Sequence, residues 1–260
     1  MKKCLVFLSA VALTVLCGCS KWAGDPITKA FDIEGAYTEL WVEDAFSITV
    51  SDTVDQVIIT AGENVMPKVK VKTNGEKLEI YLKGWAYNRG KDMTVILPYN
   101  PDLRDVSLHG ASDFRSAFPL VAQKVEVDLS GSSDLYCDIE AEEVDVELSG
   151  SSNIEGNIVA SNLELDMSGS SDASLTGQVA TMEIDLSGAS TIKKVIVGNQ
   201  YALSCNQCSG SMSGSSDAYI HCDGSIKVDL SGSSDLYYTG RASTSGCSTS
   251  GSSNIIHDVL

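Results

Sequence analysis

One seven-residue phrase recurs eight times between residues 108 and 255, and this repetition restricts the fold more than any other feature. It reads Leu129-Ser-Gly-Ser-Ser-Asp-Leu135, Leu148-Ser-Gly-Ser-Ser-Asn-Ile154, Met167-Ser-Gly-Ser-Ser-Asp-Ala173 and Leu230-Ser-Gly-Ser-Ser-Asp-Leu236 in its purest copies. The central glycines are Gly110, Gly131, Gly150, Gly169, Gly188, Gly214, Gly232 and Gly251, separated by 21, 19, 19, 19, 26, 18 and 19 residues. A period this short and this regular is the signature of stacked coils.

Between the glycines apolar residues fall at every second position, as in Val125-Glu-Val127-Asp-Leu129 and Val144-Asp-Val146-Glu-Leu148. Period two is a strand with one buried face. Alternation resumes after each phrase, so each coil is expected to offer two short strands joined at the Ser-Gly-Ser-Ser-Asp corner. A 19-residue unit cannot bury its apolar face alone, but coils stacked about 4.8 Å apart pair their strands and merge their apolar positions into one core. The expected fold is all-β, a right-handed parallel β-helix over residues 103–260, with about eight coils of 19 residues forming a rod on the order of 40 Å long. At the corner, glycine permits a turn closed to residues with a Cβ, while Ser and Asp side chains bond the exposed turn amides.

Stacking aligns Asp113, Asp134, Asn153, Asp172, Thr191, Asp217, Asp235 and Asn254 in one column. Two readings of it are open: each Asp caps its own turn, or calcium binds between coils as in Gly-rich nonapeptide β-rolls. The first is preferred, because the period is twice as long and the nonapeptide pattern is missing; no cofactor is expected.

Residues 28–102 alternate like strands but lack the phrase. They contain Phe46-Ser-Ile48-Thr-Val50, then Val69-Lys-Val71 and Leu78-Glu-Ile80-Tyr-Leu82 around Asn74-Gly75, a strong hairpin signal. This β-module is expected to cap the first coil and to be continuous with the rod.

Residues 1–18 read as a signal peptide: Lys2 and Lys3, an apolar run from Leu5 to Leu16, then Leu16-Cys17-Gly18-Cys19. That ending resembles the lipobox of bacterial lipoproteins, which implies an exported chain with a lipid on Cys19, a linker over 19–27, and a place in the outer membrane on the periplasmic face or cell surface. No other segment is long and apolar enough to cross a bilayer as a helix. Losing residues 1–18 removes two lysines and no acids, which takes the formal charge from −17 to −19. So acidic a chain repels nucleic acid and anionic lipid headgroups, and its membrane contact is expected through the lipid anchor only.

The chain offers little that looks like catalysis. Cys137, Cys205, Cys208, Cys222 and Cys247 are odd in number and irregular in spacing, and Cys205-x-x-Cys208 has no partner motif to complete a zinc site. Buried thiols, or one local disulfide, are the preferred reading, and no metal ligand set is assigned. His109, His221 and His257 are expected as solvated turn residues, and Gly-x-Ser strings recur in every coil and so are structural. Polysaccharide-cleaving β-helices need carboxylates that break the repeat; the acids here follow it. The longest interval, with Asn199 to Gly210, is expected to protrude as a loop. No catalytic residue is assigned, and an enzyme is the minority reading.

A binding surface is sought two residues after each corner Asp, where the column runs Arg115, Tyr136, Glu155, Ser174, Lys193, Tyr219, Tyr237, Ile256. Tyr219 and Tyr237, and in the same column Tyr136, are the candidate ligand-binding residues, an aromatic step for a sugar ring or a protein surface.

The opening Phe31-Asp-Ile33 and Phe46-Ser-Ile48-Thr-Val50, the segment Gly75-Glu-Lys-Leu78-Glu-Ile80, the strand Val95-Ile-Leu97-Pro98 and the Gly-Ser-Ser-Asp/Asn coils together resemble the head GIN domain family of auto-transporter adhesins, over residues 28–258. The resemblance implies an all-β fold with a β-helical part and an adhesive role at the cell envelope, and brings no catalytic residues. The expected function is therefore an envelope lipoprotein binding glycan or protein of host or envelope through its rod. The alternative is an assembly protein whose copies self-associate.

Overall fold

The computed structural model describes residues 23–84 and 93–260. The leader and linker residues 19–22, Cys19 among them, lie outside the described residues. Strands dominate, with one 3₁₀ turn at Met66–Lys68.

The repeats stack as parallel coils, and the register is the one the phrase demands. Val125, Val127 and Leu129 pair with Val144, Val146 and Leu148, which pair in turn with Leu163, Leu165 and Met167, and these with Met182, Ile184 and Leu186. Every one of these side chains is buried, so each coil places its apolar residues directly on those of the coil below and the solenoid of about eight turns has one continuous core.

The early coils each hold two strands, as in Asp134–Tyr136 and Ile139–Leu148, and in Asn153–Met167 the two run together. There the inward residues are Ile154, Ile158, Leu163, Leu165 and Met167. Steps of four and five residues separate the first three, and the ladder to the next coil skips Ser161 between Ile158 and Leu163. Gly156 stands where a Cβ would meet the Cys137 carbonyl oxygen at 2.0 Å.

The Ser-Gly-Ser-Ser corner is a ladder of three interlocked elements. Gly150 has φ 77°, and its Cβ would stand 2.4 Å from the Gly131 oxygen, so both conformation and space exclude a side chain. That carbonyl accepts from the Ser151 amide at 2.8 Å, and the same bond recurs up the stack, as Ser170 to Gly150 and Ala189 to Gly169 at 2.7 Å. Beneath it, Ser112, Ser133, Ser152, Ser171, Ser190, Ser216 and Ser234 are fully buried. Each closes its own turn: the Ser152 hydroxyl donates to the Ser149 carbonyl at 2.9 Å, and Ser133 to Ser130 at 2.9 Å.

The N-terminal module continues the same stack out of chain order. Glu39–Val42 lies between Lys77–Leu82 and the first repeat strand Asp105–Leu108, parallel to both, and Phe46–Ser51 lies likewise between Met93–Pro98 and Asp113–Arg115. Asp44, with φ 85°, takes the corner position below Gly110: its carbonyl accepts from the Ala111 amide at 2.7 Å and its carboxylate from the Leu82 amide at 2.8 Å. Antiparallel strands close this end. Val69–Asn74 folds on Lys77–Leu82 through Gly75, as the Asn74-Gly75 pair implied, and Pro26–Phe31 pairs with Val57–Gly62. Lys70 and Lys72 on the first and Lys29 on the second put charge on these strands, which discourages pairing with other chains.

Candidate functional site

The long interval between Gly188 and Gly214 does not hold a loop over Asn199 to Gly210. Leu203–Met212 is a strand of the stack, and the extra residues form a small antiparallel hairpin, Ile196–Val197 with Gln200–Tyr201, turning at Gly198 with φ 64°. The hairpin leans over the following coils. Tyr201 is fully buried; its amide donates to Thr239 Oγ1 at 3.2 Å and its hydroxyl to the Asp258 carboxylate.

Beside it lies the aromatic step. The column is in register from Arg115 to Ser174 and again from Tyr219 to Ile256, with Tyr219 on Tyr237 and Tyr237 on Ile256. The rings of Tyr219 and Tyr237 stack with centroids 4.6 Å apart and planes 6° from parallel, both half-buried. Tyr201 meets Tyr219 edge-on at 5.5 Å, and Lys194 of the hairpin stem lies 5.7 Å from the Tyr219 centroid and 5.6 Å from that of Tyr201. The step is thus one open edge of a three-ring cluster. Burial, and then the neighbouring Tyr237 ring, raise the Tyr219 phenol, and burial with Asp235 raises Tyr237, so both stay neutral hydrogen-bonding groups at neutral pH.

Tyr136 does not join them. It pairs with Arg115 on one side and Glu155 on the other, with the Arg115 guanidinium 3.7 Å above its ring, and three coils separate it from Tyr219.

Tyr219, His221 and Asp223 point outward along one strand, so the step leads onto the next face of the solenoid. There a groove of about 680 Å³ has Gln200 of the hairpin in its wall, with Val159, Gln178, Ser204, Asn206, His221 and Asp223 among its other lining residues. His221 is not a solvated turn residue. Its Nδ1 pairs with Thr239 Oγ1 at 3.0 Å and its Nε2 lies 3.4 Å from Asp223 Oδ2, while the Arg241 amide donates to Asp223 Oδ1 and holds that carboxyl below its ordinary range. His109 and His257 are engaged as well, the first with Ser130 Oγ at 2.6 Å and 5.6 Å from the Trp41 ring, the second stacked on Tyr238 at 4.7 Å.

The corner acids bond between coils, and Asn254 also donates to the Ser252 carbonyl of its own turn at 3.2 Å. Asn153 Nδ2 donates to Asp134 at 2.5 Å, Asn254 Nδ2 to Asp235 at 2.8 Å, and Lys193 pairs with Asp172 at 3.0 Å. Among the described residues no group of three His, Cys, Asp or Glu side chains converges as a metal site.

The comparisons bear on this geometry. The model of a family described as "Putative auto-transporter adhesin, head GIN domain" matches the chain twice, over residues 36–158 and 146–242. The chain belongs to this family. Solved structures share the head GIN fold. A "putative adhesin" from Parabacteroides merdae ATCC 43184 aligns at TM-score 0.79 and 17% identity over 90% of this chain and 97% of its own. One from Parabacteroides distasonis ATCC 8503 aligns at 0.74 and 19% over 91% and 95%. A "putative lipid binding protein" from the latter organism aligns at 0.77 and 20% over 90% and 97%. No curated protein matches the chain. What the family description names is an adhesin.

Sequence reasoning missed Tyr201, Lys194 and Thr239 as parts of the aromatic cluster. A signal was present, since Gly198-Asn199 between Ile196-Val197 and Gln200-Tyr201 is a hairpin pair.

Proposed function

We propose that this head GIN protein is an adhesin of the cell envelope that binds a glycan or protein ligand at the Tyr219–Tyr237 step and the groove beside it. The observation that carries the reading is the pair of parallel, half-buried tyrosine rings backed by Tyr201 and Lys194. A flat, rigid aromatic surface loses little entropy on binding and suits the apolar face of a sugar ring, while Gln178, Gln200, Asn206 and Asp223 supply amides and a carboxylate for hydroxyl groups. Export through residues 1–18 and a lipid on Cys19 would hold the solenoid at the outer membrane with its faces accessible. The reading requires no catalytic residue and no cofactor; calcium between the corner acids is the variant that chelation tests.

The deciding experiment is binding of the chain from residue 20 to a glycan and extracellular-matrix array, with and without a calcium chelator. Saturable binding that Tyr219→Ala with Tyr237→Ala weakens at least about tenfold, roughly 1.4 kcal/mol, supports the reading. Unchanged binding by that variant removes the step, and concentration-dependent self-association without array binding favours an assembly role.

A further inference from the structure

Three thiols lie together beneath the groove. Cys205 and Cys222 are in register on neighbouring parallel strands, Leu203–Met212 and Asp217–Leu230, and both point inward. Cys208, three residues on in the same strand as Cys205, is buried as well. The Cys222 thiol donates to the carbonyl of Asn206, the residue that follows Cys205, at 3.4 Å. The ladder is irregular at this point, with a register shift between Cys205 and Gln207. Neighbouring strands about 4.8 Å apart fall inside the roughly 4.4–6.8 Å Cα separation over which disulfides close.

We propose that Cys205 and Cys222 form a disulfide in the exported protein, stapling the coil that carries the hairpin to the coil that carries Tyr219. Two S–H bonds break and one S–S bond forms. The two protons and two electrons pass to a disulfide oxidant, which is released as two thiols. Cys208, and then burial, raise the Cys205 thiol against an opposing effect of Cys222, and Cys205, and then burial, raise the Cys222 thiol, so the attacking thiolate is scarce once the coils have stacked. Closure belongs to folding, before the groove floor is sealed, and the finished bond is shielded from reductants. Cys222 is preferred to Cys208 as partner because it is the residue in direct register with Cys205. Cys208 remains a thiol. The staple is independent of any ligand, since it depends only on the coil register.

The test uses the chain from residue 20 purified from an oxidising compartment, unfolded with a thiol-blocking reagent and cut by chymotrypsin. Cleavage after Tyr219 separates Cys205 and Cys208 from Cys222. A peptide pair joined from Cys205 to Cys222, with the blocking group on Cys208, is the expected result. A Cys205–Cys208 link, unlinked and fully blocked thiols, or a soft metal ion retained by the three thiols would overturn the proposal. Removing the 17-residue spacing between Cys205 and Cys222 as a closed loop should lower the thermal midpoint by roughly 6–12 °C when protein refolded under reductant is compared with oxidised protein. Cys208→Ser should keep that difference and Cys222→Ser should abolish it; the reverse pattern contradicts the staple.

Discussion

Gly150 and Ser152 each do in one coil what their counterparts do along the repeats. An added Cβ at Gly150 meets both a left-handed backbone and the Gly131 oxygen at 2.4 Å, whereas Gly75, with φ 65°, has nothing within 4 Å. Gly150→Ala is therefore expected to cost at least about 2–4 kcal/mol, and Gly75→Ala only the strain of about 1–2 kcal/mol that a left-handed residue carries. Denaturant midpoints of the two variants check the contrast, and equal losses would mean that the close coil approach is not what selects glycine. Ser152→Ala removes a buried bond to the Ser149 carbonyl and should cost about 1 kcal/mol. The glycines were legible in the sequence because only one residue type meets both demands. The inward serine was not, since Ser-Gly-Ser-Ser has polar residues on both sides and nothing in composition says which one faces the core.

At the scale of elements, one face of the solenoid is a double row of acids. Glu126, Asp145, Glu164 and Glu183 succeed one another in register, and Asp128, Glu147, Asp166 and Asp185 form the row beside them. Lys124 bridges Glu126 at 2.6 Å and Asp145 at 2.7 Å; farther along the rows the carboxylates face each other. Glu164 and Asp166 are both raised, first by desolvation and then by neighbouring acids, and Asp217 is raised by desolvation and Asp235. A carboxyl raised in the folded state binds its proton more tightly there. Its stabilising share is complete below the ordinary carboxylate range and is lost as pH rises through the folded value. Acidification from pH 7 toward about pH 4.5 should thus raise the thermal midpoint, and added salt at pH 7 should raise it as well by screening. A midpoint that falls in mild acid would contradict this account of the face. The strands themselves were readable from period two. The joining of both strands into one over Asn153–Met167 was not, because steps of four and five residues between Ile154, Ile158 and Leu163 look like turns until a neighbouring coil fixes them.

At the scale of the whole molecule, the stack of coils is interrupted by the hairpin at Ile196–Tyr201, and the proposed binding site adjoins it. Tyr201 secures the hairpin to three successive coils through Tyr219, Thr239 and Asp258, contacts separated by 18 to 57 residues in sequence. Such a cluster is invisible in a repeat pattern, which records what the coils share. The Tyr219–Tyr237 pair was legible because both sit at one position of the repeat; its backing by Tyr201 was hidden by the inserted residues. Tyr201→Ala should loosen the hairpin and weaken ligand binding about as much as loss of the step itself, with the coil stack intact by circular dichroism. The most direct measurement is array binding by the wild-type chain beside its Tyr219→Ala/Tyr237→Ala variant at matched thermal stability. Saturable binding by the first, reduced at least about tenfold in the second, is what this account predicts. Equal binding by both would contradict it.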